Sequence, residues 1–262
     1  MGLISELIAG DVKSIVHTGE FTKGLKAIEE SLSKHELELS AHWLNTSPTL
    51  DVRVFSSCSR MLLEQGSAAL LGRVDPIRMV AIVKGSASAD FKLGQRNASS
   101  FIWGKDVIPD TKPGTGFWTQ DSLGKGVHRA LLDGHLADYI FTSAHKELED
   151  PLFEATSKRT QLPDWIIELQ KLDRGALVLS KLRTLASEAY STLSKGIHFE
   201  FFLGRETTPD INEIRNSTSK AITVIATVAL YTHFSDVAVL KIDKESATNF
   251  FLQIIDSYQY HG

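Results

Sequence analysis

Apolar positions along this chain recur with a helical period far more often than with the alternation of a half-buried strand. Phe55, Cys58, Leu62, Ala69 and Leu70 fall near one face of a helix expected to end around Arg73. Asp75-Pro76-Ile77 then gives a start signal, an aspartate cap with proline at the first helical position. Gly85 is expected to close that helix in a left-handed conformation. Val127, Leu131, Tyr139 and Leu148 outline a third long helix. Val178, Leu182, Leu185, Ala189 and Leu193 form a clean amphipathic stripe, with Asp173 as its expected cap and Gly196 as its close.

Pro209-Asp210 opens a segment running to about Phe234, with Ile214, Ala221, Ile225 and Val228 on one helical face. Residues 222–228 are rich in β-branched side chains, so a buried strand is an alternative there. The length of the segment and its preceding cap favour a helix. A last helix begins near Lys244 and carries Phe250, Phe251, Ile254 and Ile255. The fold class expected is mostly α, a two-lobed helical bundle. Its one long loop, residues 104–126, contains Pro109, Pro113, Gly114, Gly116, Gly124 and Trp118. A second break at residues 149–163 predicts a boundary between an N-terminal helical domain, 1–155, and a C-terminal one, 156–262.

Composition adds limits to this picture. At 262 residues, 42% hydrophobic and 23% charged, the chain can bury an ordinary core. A net charge of −4 argues against general affinity for nucleic acid, so any RNA contact needs a local basic patch. The single cysteine, Cys58, cannot form an internal disulfide and reads as a small core residue. Residues 1–6 lack the features of a secretory signal, and Glu6 stands where a myristoylation signal wants Ser or Thr. The most apolar run, residues 221–230, is about half the length needed to span a bilayer. A cytoplasmic location without membrane contact is expected.

The motifs of the large enzyme classes are missing. No glycine-rich phosphate loop follows a strand, no Cys/His zinc spacing occurs, and Gly94-Gln95-Arg96-Asn97 lacks the context of such a loop. His128, His135, Asp138 and His145 share one expected helix. His128 and His135 point in nearly the same direction, with Asp138 and His145 on the adjacent strip. Helical bundles do build metal sites from such faces, with Glu64 or His42 as further ligands from other helices. A hydrated polar face explains the same residues, and no cofactor is implied. Arg60 and Glu64 form an i, i+4 pair, while Arg73, Asp75 and Arg78 bracket a helix–helix corner where ion pairs would fix geometry. Trp43, Trp103, Trp118 and Trp165 suit either partial core or an interface.

Three stretches, Arg129 to His135, Tyr190 to His198 and Arg215-Asn216, resemble parts of the HEPN ribonuclease family. Arg129 and His135 have the spacing of its Arg…His motif, but Ala130 stands where the family carries Asn, Asp or His. Tyr190-Ser191-Thr192-Leu193-Ser194-Lys195-Gly196-Ile197-His198 resembles an ending seen in HEPN-like and abortive-infection-like bacterial proteins. Arg215-Asn216 resembles the opening of the HEPN motif, with Lys220, Ala221 and Ile222 where its histidine would stand. The resemblance implies a helical C-terminal half. It offers His198, Arg215 and Asn216 as the residues of a metal-independent ribonuclease, Arg holding phosphate and His moving protons. The split motifs favour another reading, an interaction or scaffold subunit of a bacterial antiviral-defence or stress-response complex. Its partners would be other proteins or a second copy of the chain. A helical-bundle metalloenzyme around His128, His135 and Asp138 is the third reading.

Overall fold

The computed structural model describes residues 2–15, 19–43, 52–87, 100–108, 130–157, 166–167, 171–172, 174–197 and 210–260. Its elements are α1 (Leu3–Ala9), a 3-10 turn (Val12–Ser14), α2 (Glu20–Trp43), α3 (Val52–Val74), α4 (Pro76–Ser86) and α5 (Trp103–Asp106). They continue with α6 (Gly134–Ser157), α7 (Gly175–Ile197), α8 (Ile211–Phe234) and α9 (Lys244–Tyr258). The protein is mostly α. The described residues contain no strand beyond one isolated bridge between Ala130 and Asp133.

Helix α8 is the axis of the fold. Every residue from Ala221 to Phe234 is buried, because α1, α3, α6, α7 and α9 all pack on it. A helix covered on every side can be apolar all round, which explains why its β-branched run looked like a strand in sequence. Its cap is the expected one: Asp210 accepts from Asn212 N at 3.0 Å.

Polar contacts set the direction of its neighbours. Ser59 Oγ meets Thr218 Oγ1 at 2.8 Å and, two turns on, a Cβ at Gly66 would lie 3.5 Å from Ile225. Arg73 meets His233 at the far end. The constant offset means that α3 and α8 run parallel. Lys220 pairs with Glu188 at 2.7 Å, and Gly196 approaches Ile214, so α7 runs antiparallel to α8. Buried side chains of α1–α4 and of α7–α9 belong to one continuous apolar cluster.

Several boundaries differ from the sequence reading. Asp75 caps α4 as expected, accepting from Arg78 N at 3.3 Å. Gly85, however, lies inside α4, which runs on to Ser86 and Ala87 in a right-handed conformation. Gly196 is not a left-handed close either, since α7 continues to Ile197. Its lack of a side chain serves packing, because a Cβ there would fall 2.2 Å from Ser56 Oγ.

The third long helix begins later than expected. Gly134, at φ +73°, opens α6, and Leu131 sits in a turn whose backbone donates to Asp106 O. The expected break at 149–163 is helical as far as Ser157, with Pro151 inside α6. Leu148, Leu152 and Thr156 stay buried along it, and that packing carries the helix past the proline. Asp173, Trp118, Trp165 and Gly94-Gln95-Arg96-Asn97 lie outside the described residues. No helix among the described residues is long and apolar enough to cross a membrane.

Candidate functional sites

The stripe of α7 packs as the sequence requires. Val178, Leu182, Ala189 and Leu193 are buried and Leu185 is half-buried. Of the HEPN-like stretch, Leu193 is core, and Ser194 Oγ donates back to Tyr190 O at 2.6 Å. Tyr190 stacks on Trp103 with centroids 4.5 Å apart and planes 7° from parallel. Arg60 donates to the Tyr190 hydroxyl at 2.9 Å, and its guanidinium carbon stands 4.8 Å from the Tyr190 ring centre. Glu64 pairs with Arg60 at 3.1 Å, the i, i+4 pair read from sequence. Burial, with Glu64 nearby, raises the Tyr190 pKa. This cluster joins α3, α5 and α7 and satisfies its own polar groups.

The end of α7 and the start of α8 meet at one end of the bundle. A Cβ at Gly196 would contact both Ser56 of α3 and Ile214 of α8, 3.2 Å from the latter's Cδ1. Arg215 and Asn216 therefore sit beside the end of α7. Arg215 is half-buried and Asn216 is exposed. His198 lies outside the described residues. At about 100° per residue, Arg215 and Asn216 point away from one another.

The expected histidine face is dispersed. His128 and Arg129 lie outside the described residues, and residues 130–133 form a turn rather than a helix. Helix α6 carries His135, Asp138 and His145. Asp138 is exposed. His145 is committed elsewhere: Nε2 donates to Leu172 O at 3.0 Å, which leaves Nδ1 to accept from the Tyr231 hydroxyl at 2.8 Å. A carbonyl can only accept, so this tautomer is dictated.

Arg78 and Asp106 confirm the structural role read for the corner. The guanidinium reaches both carboxylate oxygens, at 3.2 and 3.1 Å, while the same carboxylate accepts from Ile102 N at 2.7 Å. Trp43 belongs to the core edge, stacked on Phe55 at 6.0 Å.

Arg73 is the residue whose environment the sequence did not announce. It is fully buried, with no ion pair to a carboxylate among the described residues. Nη1 donates to Ile8 O at 3.0 Å and Nε to Val239 O at 3.1 Å. Its two terminal nitrogens lie 3.3 and 3.2 Å from the two ring nitrogens of His233. His233 Nε2 also donates to Leu7 O at 2.8 Å, and Nδ1 accepts from Ile242 N at 3.1 Å. Burial lowers the Arg73 pKa to about 9, and burial with the neighbouring Arg73 charge lowers the His233 pKa to about 3.

Helices α2 and α3 hold a further group that the sequence reading missed. His35 and Glu38 stand three residues apart on α2 and face Cys58 of α3, with one ligand atom of each within 4.8 Å of the others. Burial, reinforced by a hydrogen bond to the Glu38 carboxylate and by its charge, pushes the Cys58 thiol up to about 12. A His-x-x-Glu step at helical spacing is the signal that was there to find.

Among the surface hollows of the described residues, one has apolar walls of leucine and valine. It measures about 500 Å³ and lies along the start of α7, walled by Leu172, Leu177, Val178, Leu182 and Leu185. Thr223 of α8 closes its floor, and Lys171 and Lys181 stand on its rim. Leu177 is 46% exposed on its lip. No protein-family model, curated protein or solved structure matches the chain.

Proposed function

We propose that this protein is an interaction subunit, which docks an amphipathic, acidic-flanked segment of a partner protein in the groove on α7. The observation that carries the reading is the apolar groove itself, floored by rigid helices and rimmed by Lys171 and Lys181. An exposed leucine at the lip of a concave apolar surface has the character of a binding anchor rather than of ordinary surface. The two rim lysines favour negative charge at the ends of the segment that fills it. The likeness to HEPN-like and abortive-infection-like proteins supplies the context, an antiviral-defence or stress-response assembly in a bacterium. Partner recovery with and without a charge at Leu177 tests the reading.

A second reading is supported by the convergence of α7 and α8. Gly196 and Ile214 meet at the end where Arg215 and Asn216 stand, and His198 follows α7 directly in sequence. A metal-independent ribonuclease would use His198 for proton transfer and Arg215 for phosphate. Cleavage of RNA in the presence of chelator tests it.

A further inference from the structure

We infer that His35, Glu38 and Cys58 form a three-ligand site for a zinc-type divalent cation between α2 and α3. The donor set is one imidazole nitrogen, one carboxylate oxygen and one sulfur, the mixture that borderline-soft Zn²⁺ accepts. Two of the ligands share a helix at i, i+3, the spacing by which helical bundles present paired metal ligands. The third comes from the helix packed against it, so the site is fixed by the α2–α3 contact rather than by a loop.

A second observation is independent of that geometry. His35 Nδ1 is shut off from solvent and has no hydrogen-bond partner among the described residues. A buried imidazole nitrogen without a partner is costly, and a bound cation nearby orients and satisfies the ring. Metal–ligand bonds of about 2.0–2.3 Å at tetrahedral angles separate ligand atoms by roughly 3.5 Å. The present separations, within 4.8 Å, close to that value by side-chain rotation. Glu38 is exposed and Cys58 buried, so the cation enters from the Glu38 side. On binding, the Cys58 S–H proton leaves to solvent and the sulfur bonds the cation as thiolate. Three protein ligands leave a fourth position for water or for a group from outside the chain.

The test is titration of the full-length, metal-free protein with Co²⁺, followed by electronic absorption, and then displacement by Zn²⁺. The expected result is one equivalent of Co²⁺ bound, with a sulfur-to-cobalt charge-transfer band that Zn²⁺ abolishes. Cys58→Ser removes that band, and His35→Ala and Glu38→Gln each weaken binding at least tenfold. His35 and Glu38 are not core residues, so these two variants fold even if Cys58→Ser does not. Absence of binding, binding without the sulfur band, or affinity unchanged in His35→Ala and Glu38→Gln would overturn the site. None of these outcomes depends on the groove on α7.

Discussion

Glu36 and Arg73 hold opposite ends of α1, each with the sign of charge that the helix macrodipole favours. The Glu36 carboxylate accepts from Ile4 N and Ser5 N, both at 2.9 Å, at the start of the helix. The Arg73 guanidinium donates to Ile8 O at its end. A seven-residue helix has little stability of its own, and most of its backbone groups are terminal orphans. Two buried side chains from α2 and α3 satisfy them. Gly10, at φ +68°, turns the chain just beyond, where a Cβ would fall 2.0 Å from Leu240 O.

This clamp predicts coupled losses. Glu36→Ala leaves two amides unpartnered and costs about 2 kcal/mol, while Arg73→Met orphans several carbonyls and costs about 3 kcal/mol. Once either end is released, α1 undocks and the other clamp has less to hold. The double variant therefore loses less than the two singles combined, by urea denaturation. Strict additivity would show that the two residues act separately.

His233 predicts an acid limb to stability. Its folded pKa is depressed to about 3 from its ordinary value of 6.5. Between those values the unfolded chain binds a proton that the folded chain refuses. Stability is therefore present above pH 6.5 and declines as pH falls through that window, by at most about 1.4 kcal/mol per unit. Arg73 stays charged across the window and adds no slope of its own. His233→Gln removes this contribution, so its urea midpoint changes less between pH 6.5 and 5 than the wild type's. Equal slopes in the two proteins would refute the buried neutral imidazole.

Gly196 separates packing from capping. A glycine inside a helix is ordinarily improved by alanine, by about 1 kcal/mol. Here Gly196→Ala drives a Cβ against Ser56 Oγ and is expected to destabilise by about 1–3 kcal/mol. Ser56→Ala in the same chain removes the oxygen and recovers part of the loss. A gain in melting temperature from Gly196→Ala alone would contradict the contact.

The elements were legible in the sequence where local chemistry decides them. Asp75-Pro76, Asp210 and Lys244 marked true helix starts, and the stripe from Val178 to Leu193 faces the core. Arg78 and Asp106 show what was half legible. The arginine looked structural, but its partner lies 28 residues away and no spacing rule reaches it. Arg73 was read as a corner residue and is a buried cation beside an imidazole 160 residues distant. Glycine misled for the same reason: Gly85 and Gly196 look like helix ends in isolation, whereas the neighbours of Gly196 decide its use. The metal candidate was missed because Cys58 was judged alone, without the α2 face that meets it.

The ribonuclease reading makes its own prediction. If the chain is an interaction subunit, total RNA and transfer RNA remain intact when incubated with the purified protein, with or without chelator. Chelator-resistant cleavage, lost in both His198→Ala and Arg215→Ala, would transfer the assignment to a nuclease at the junction of α7 and α8.

The most direct test of the interaction reading is purification from the native host of the wild type, Leu177→Asp and a control variant with a charge at an equally exposed apolar residue. Ile77→Asp is the control, because Ile77 is 64% exposed on α4 and lines neither the groove nor the neighbouring hollow that Phe153 shares with Leu172 of the groove wall. The account predicts a stoichiometric protein partner with the wild type and with Ile77→Asp, and its loss with Leu177→Asp. A partner retained by Leu177→Asp, or a wild type recovered alone under gentle conditions, would contradict it.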